Sequence, residues 1–195
     1  MSRKFKIAIF ASGAGTNAAK IIEFFGSSAD ISVDLVVSNR TKAGVLDIAK
    51  ENSINSMVFS RAQFLTDTDN LLNLLRSRKI DFIVLAGFLL KLPEKIISVF
   101  EGRILNIHPS LLPDFGGKGM YGDNVHKAVL IAEKEKTGIT IHQVNNEYDR
   151  GEIVFQKEVA IDKSETVESL KKKIQVLEHK FFPEVIQTEI KKLFK

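Results

Sequence analysis

Short apolar runs and stretches of helical spacing alternate along the first half of the chain. Strand-like runs cover residues 5–11, 33–39, 56–59, 81–86 and 104–108. Between them, apolar residues recur at helical spacing through Ile21, Ile22, Phe24 and Phe25, then over 45–52 and 69–78. Residues 93–100 read as a short helix with proline in its first turn. Strand and helix in alternation predict a mostly parallel twisted sheet covered by helices on both faces.

The pattern changes in the second half. A glycine-rich loop over 114–122 precedes a helix over 124–133, and two β-rich runs follow at 138–144 and 153–161. Only eight residues, 145–152, separate these runs, too few for a helical crossover, so they are expected to pair antiparallel. A long amphipathic helix from Thr166 to about Phe194 follows, bent where Pro183 removes a backbone donor. There is no repeat, low-complexity tract or marked boundary. Residues 1–195 therefore read as a single α/β domain with an antiparallel strand late in the chain and a long C-terminal helix.

The run ILNIHPSLLP, residues 104–113, carries the first candidate chemistry. In an extended segment Asn106 and His108 share one face while Leu105 and Ile107 share the other. Pro109 biases His108 toward extended geometry and cannot donate to a ladder, so the strand should end at the histidine. An amide and an imidazole then stand at the carboxyl end of a strand, where open α/β sheets bind ligands.

Composition narrows the setting. With 195 residues and 44% hydrophobic content the chain can bury a substantial core. The lack of cysteine excludes a disulfide framework and thiolate metal sites and fits a reducing compartment. No apolar run reaches the roughly 20 residues of a membrane span. The start, MSRKFKIAIFASG, runs into a glycine turn too early for a signal peptide, so a cytoplasmic protein without a membrane partner is expected. The formal net charge of +4 allows anionic ligands. Much of it lies at Lys171, Lys172, Lys173, Lys191, Lys192 and Lys195 on the expected C-terminal helix, without the interleaved aromatics of a nucleic-acid surface. A solvated helix face and no nucleic-acid partner are expected.

The loop Ser12-Gly13-Ala14-Gly15-Thr16-Asn17-Ala18 joins the first strand to the first helix. Glycines there let backbone N–H groups approach an anion at a helix N-terminus, and Thr16 and Asn17 add side-chain donors. Gly13, Gly15 and Ala18 also fit a dinucleotide fingerprint. A nicotinamide enzyme would want a carboxylate at the end of strand two, where this chain has Ser38-Asn39-Arg40; Arg40 keeps an NADP enzyme as an alternative. Among the other polar residues, His142 lies mid-strand and reads as packed or orienting. His126 and His179 fall on expected helices and read as surface residues. Asp149, just before Gly151, reads by itself as a turn former. No clustered His, Asp or Glu spacing suggests a metal.

Four stretches occur together and in order: ASGAGTN (11–17), LAGFLLKL (85–92), ILNIHPSLLP (104–113) and TGITIHQVNNEYDRGEIVFQ (137–156). Over nearly its whole length the chain resembles the phosphoribosylglycinamide formyltransferases, folate-dependent enzymes of purine synthesis with a Rossmann-like formyltransferase fold. The resemblance implies formyl transfer from the cosubstrate 10-formyltetrahydrofolate to the amine of glycinamide ribonucleotide, with no metal. It implies a catalytic trio of Asn106, His108 and Asp149, which makes Asp149 the partner of the histidine. Gly13, Ala14, Gly15, Thr16 and Asn17 match the family's substrate-phosphate loop, and Glu178 matches a glutamate that contacts the ribose. Folate is implied at Leu89, Leu90, Lys91, Leu92 and Asn106, with Arg61 as a basic contact, and the 114–122 loop is a candidate lid. On this reading 1–103 is a phosphate-binding half, 104–195 a catalytic and C-terminal half, and the protein a monomer or weak homodimer.

The chemistry agrees with those residue types. Formyl transfer to an amine passes through a tetrahedral carbon whose oxygen is negative, and the Asn106 amide and a protonated His108 are donors for such an oxygen. Asp149 would favour the imidazolium and help move a proton through water. Two relatives within the wider formyltransferase group remain as alternatives: a methionyl-tRNA formyltransferase, which would carry a further C-terminal domain, and a formyltetrahydrofolate hydrolase, which would carry an N-terminal one. From a different class, a nucleotide-phosphate-binding module on the same sheet would bind without turnover.

Overall fold

A computed structural model describes residues 4–193. Among them seven strands form one sheet: β1 (Phe5–Phe10), β2 (Ile31–Ser38), β3 (Asn55–Val58), β4 (Phe82–Leu85), β5 (Ile104–His108), β6 (Lys136–Gln143) and β7 (Ile153–Ala160). Their spatial order is β3-β2-β1-β4-β5-β6-β7, and all contacts from β3 to β5 are parallel. β6 runs antiparallel to both neighbours, which returns β7 to the common direction. The late antiparallel strand is therefore present, and β6 begins two residues before its expected start because Lys136 and Thr137 already pair with Ala160 and Val159.

Period-two alternation divides the core. Ile7 and Ile9 of β1 with Ala11 just after it, Leu105 and Ile107 of β5, and Ile139 and Ile141 of β6 pack on one face. Covering them are α1 (Thr16–Phe25), α2 (Val45–Glu51), α6 (Asp123–Ile131) and α7 (Val167–Leu193), through residues such as Ile21, Val45, Val129, Ile174 and Phe182. Ala8, Phe10, Leu35, Val37 and Ile83 point to the opposite face, under α4 (Thr68–Ser77) and α5 (Glu94–Val99). Leu71, Leu72 and Leu75 put three leucines of α4 on the side that meets the sheet.

A further helix, α3 (Arg61–Thr66), has no periodic signal because Phe64 is its single buried residue. What starts it is a capping box: the Ser60 hydroxyl accepts from the Gln63 N–H at 3.3 Å, and the Gln63 side-chain oxygen accepts from the Ser60 N–H at 2.8 Å. Pro93 stands just before α5, at its N-cap, rather than inside its first turn. His126 corrects a surface expectation. It is 3% exposed, since it follows Val125 on the face of α6 turned inward, and His179 on α7 is likewise partly buried. α7 continues through Pro183, while Phe194 and Lys195 of the expected helix lie outside the described residues. No described helix is long and apolar enough to cross a membrane.

Candidate active site

Strand order reverses between β1 and β4, so the loops leaving their carboxyl ends diverge and open a crevice. A cavity of about 640 Å³ lies there. Ser12 ties its floor together: its N–H donates to the Gly87 carbonyl at 3.1 Å, and its hydroxyl accepts from the Leu89 N–H at 2.9 Å and donates to the Asn39 side-chain oxygen at 2.6 Å.

At one end is the glycine loop. Gly15 has φ of 81°, and a Cβ built there would lie 2.7 Å from the Val45 Cβ, so the turn into α1 admits no side chain. α1 then begins at Thr16 without a side-chain cap, leaving its first N–H groups for another partner. The Asn17 amide donates to the Glu178 carboxyl at 2.9 Å, and Gln175 donates to the Thr16 hydroxyl at 2.9 Å. Burial pushes the Glu178 carboxyl up to about 6, partly offset by the Asn17 N–H. The Asn17 side-chain oxygen is buried without a partner.

His108 ends β5, 3% exposed. Its Nε2 lies 2.8 Å from the Phe115 carbonyl, which only accepts, so Nε2 bears a hydrogen. Nδ1 lies 3.6 Å from Asp149 Oδ2. Burial holds the His108 pKa below the usual histidine value, with the Asp149 charge and the Phe115 carbonyl pulling upward and His142 adding to the depression. Asp149 has φ of 54°, a left-handed turn conformation, so it closes the 145–152 loop and also reaches the histidine. Its Oδ2 accepts from the Gly117 N–H at 2.8 Å. Burial alone would raise the Asp149 carboxyl; His142, His108 and the Gly117 N–H outweigh it and hold it below the ordinary value. Gly151 permits the loop's return, since a Cβ there would fall 1.6 Å from the Gln143 carbonyl oxygen.

Asn106 faces His142 across the β5/β6 pairing. Its Nδ2 lies 3.1 Å from His142 Nε2 and 3.5 Å from Asp149 Oδ1. His142 is 2% exposed and places Nδ1 2.7 Å from the Gln143 carbonyl.

The cavity thus brings together Gly13, Ala14, Gly15, Thr16, Asn17, Glu178, Arg61, Leu89, Leu90, Asn106, His108 and Asp149. Two expected folate contacts fall outside its lining: Lys91 is exposed, and Leu92 is 3% exposed within the core under α5. Arg40 and His126 do line it, as do Lys171 and Gln175, which sequence reasoning did not assign to a site. Their signal was spacing: 171, 175 and 178 lie at i, i+4 and i+7, one face of α7. Lys171 is paired with Asp123 at the start of α6, at 2.7 Å. No group of three or more His, Cys, Asp or Glu side chains among the described residues is arranged to hold a metal.

Residues 5–186 match the formyl transferase family, a span that holds all seven strands and most of α7. The chain belongs to that family. This formyl transferase is 42% identical over 189 residues to the chloroplastic phosphoribosylglycinamide formyltransferase of Arabidopsis thaliana, covering 94% of this chain but only 65% of that relative's length. It is 33% identical to the phosphoribosylglycinamide formyltransferase of Bacillus subtilis, with 93% of each chain covered. The crystal structure of the enzyme of that name from Bacillus halodurans superposes with a TM-score of 0.86 at 33% identity, covering 94% of both chains. In this formyl transferase the cavity offers an anion-type loop at one end and a buried imidazole, carboxylate and amide at the other. Such a set can hold a phosphorylated reactant, stabilise a developing oxyanion and carry a proton.

Proposed function

We propose that this formyl transferase moves the formyl group of 10-formyltetrahydrofolate onto the primary amine of glycinamide ribonucleotide. One observation carries the reading: a single cavity joins the glycine loop and Glu178 to the cluster of Asn106, His108 and Asp149. The loop N–H groups of residues 13–17 would hold the phosphate, with Gln175 and Lys171 beside them, and Glu178 would accept from the ribose hydroxyls. Leu89, Leu90 and Arg61 line the remaining wall and suit the folate, an apolar ring system with an anionic tail. The reactants are small molecules, not nucleic acid. The cysteine-free sequence suits a reducing compartment, and we assign the protein to the cytoplasm as a monomer or weak homodimer.

In the reaction the amine nitrogen attacks the formyl carbon, the carbonyl electrons move to oxygen, and the tetrahedral species collapses with cleavage of the bond to the folate nitrogen. The proton lost by the amine ends on that nitrogen. Both ring nitrogens of His108 face acceptors, the Phe115 carbonyl and Asp149, so an imidazolium is favoured by its partners and opposed by burial. An oxyanion forming nearby tips that balance toward the charged ring. For Nε2–H to donate to the formyl oxygen it must leave Phe115, so the segment after Pro113 yields when substrates bind. Asp149 holds the ring's other nitrogen and passes the amine proton onward through water.

Purified protein with both substrates tests the reading through the absorbance of released tetrahydrofolate. Turnover dependent on the ribonucleotide is expected, and release of folate without it, or none at all, would reject the assignment. Asp149→Asn should keep the left-handed turn, which asparagine tolerates. Its kcat should fall on the order of 10²-fold or more through loss of charge, while the ribonucleotide KM changes little. Near-normal turnover in that variant returns Asp149 to a turn-forming role.

A further inference from the structure

A row of three directly opposed residues crosses the last strands: His108 on β5, Thr140 on β6 and Gln156 on β7. His108 lines the cavity; Thr140 and Gln156 do not. The Thr140 side chain is fully buried, and its hydroxyl has one hydrogen to give and two lone pairs to fill. All three are used. Oγ1 donates to the Ser110 carbonyl at 2.7 Å and accepts from the Leu112 N–H and from Gln156 Nε2, each at 2.9 Å. Gln156 Nε2 also donates to the Leu112 carbonyl at 2.9 Å, and the buried Ser110 hydroxyl donates to the Asp114 carbonyl at 2.9 Å. Packing adds to these bonds, since Gly138 leaves room for Leu111, whose Cδ2 would stand 2.8 Å from an added Cβ. The 110–114 turn is thus sewn to β6 and β7. Just beyond it, the Phe115 carbonyl meets His108 Nε2 and the Gly117 N–H donates to Asp149, both at 2.8 Å.

We propose that Thr140, backed by Gln156, is a positioning residue for His108: it anchors the 110–114 turn from which the Phe115 carbonyl reaches the ring. This rests on the formyl-transfer reading and adds to it a residue that touches no reactant. With an acceptor at each nitrogen the ring has one orientation, Nε2 on Phe115 and Nδ1 toward Asp149. The acceptor at Nε2 is a main-chain atom, fixed only as well as the turn before it. Without the Thr140 hydroxyl, the Ser110 carbonyl and the Leu112 N–H both lose a partner, the turn loosens, and the imidazole is no longer held where it meets the formyl oxygen. The anchor also divides the segment after Pro113. Residues up to Asp114 stay with the sheet, and 115–117 is the stretch that yields when Nε2–H leaves Phe115. Gly117 suits that place, with φ of 98° and nothing within 4 Å of an added Cβ.

Valine at this position keeps the shape of threonine without the hydroxyl, and serine keeps the hydroxyl without the methyl group. Thr140→Val should lose kcat on the order of tenfold or more with both KM values changed less than about threefold, and Thr140→Ser should keep kcat within about threefold of the unaltered protein. Nitrogen-15 NMR of histidine-labelled protein gives a readout independent of turnover, with His108→Ala supplying the assignment. The His108 Nε2–H should exchange slowly with water in the unaltered protein and in Thr140→Ser, and at least about tenfold faster in Thr140→Val. Should the valine variant fail to fold, Gln156→Leu carries the same test, since it removes two of the bonds at an exposed position; faster exchange is again expected. An unchanged exchange rate in the folded variant, equal kcat losses with serine and valine, or a loss confined to KM would overturn the proposal. Exchange reads the anchor whether or not formyl is transferred, so the two readings fail separately.

Discussion

Gly13 and Gly15 look alike in the loop, but a methyl group meets different surroundings at each. At Gly15 it would meet Val45 at 2.7 Å on a backbone with φ of 81°. Gly15→Ala should therefore cost about 1–2 kcal/mol in backbone strain alone, with steric repulsion added, and lower the thermal midpoint. At Gly13 nothing lies within 4 Å, and the residue lines the cavity. Gly13→Ala should leave the thermal midpoint unchanged and raise the ribonucleotide KM without raising that of the folate. An unchanged ribonucleotide KM would mean the phosphate sits elsewhere. The same scale shows what the sequence discloses. Asn106 and His108 were legible because strand periodicity needs only local order. Asp149 was not legible from its own neighbourhood, since a residue at φ of 54° before a glycine is a turn former whatever else it touches. Resemblance supplied its second role. The contact of His142 with Asn106 depends on β5/β6 register, which no local pattern states.

Among the elements, α3 shows how a short helix escapes periodicity and still shapes the site. Its anchor is Phe64, whose ring lies 5.2 Å from Phe88, 6.1 Å from Phe59 and 6.3 Å from Phe10, centre to centre. Phe88 belongs to the loop that lines the cavity beside Leu89, and Arg61 opens the helix at the cavity wall. Phe64→Ala should therefore cost about 3–5 kcal/mol of stability, as deletion of a buried phenyl ring does. It should also raise the folate KM more than the ribonucleotide KM, because Arg61 and Leu89 lose their support while the glycine loop keeps its own. Denaturant unfolding and the two KM values check this; a larger effect on the ribonucleotide would show that α3 does not border the folate. The remaining elements were foreseen to within a residue or two because strands of four to eight residues and helices with repeated apolar anchors impose their period on the chain. One anchor in six residues imposes none.

Across the whole molecule the cavity separates two titrations of opposite direction: burial raises Glu178 to about 6 and depresses His108. For stability, the raised Glu178 value means the folded state holds that proton more firmly than the unfolded chain. Its contribution is full below the ordinary carboxyl value of 4.5 and is lost as pH rises through about 6. Binding follows the reverse course. The ionised carboxylate is the better acceptor for ribose hydroxyls, so the ribonucleotide KM should rise as pH falls through about 6. The substrate phosphate itself takes up a proton near pH ~6, so a KM profile for the unaltered protein mixes two events. Glu178→Gln separates them: it keeps an acceptor oxygen for Asn17, stays neutral at every pH, and leaves only the phosphate titration. The variant should show a higher KM at pH 7.5 and a shallower rise toward pH 5.5, converging on the unaltered protein at the acid end. The folate KM should be alike in both proteins, since Glu178 is bonded to Asn17 of the glycine loop and is assigned to the ribonucleotide rather than the folate. Parallel pH profiles in variant and unaltered protein would assign the whole dependence to the phosphate and remove Glu178 from ribose recognition.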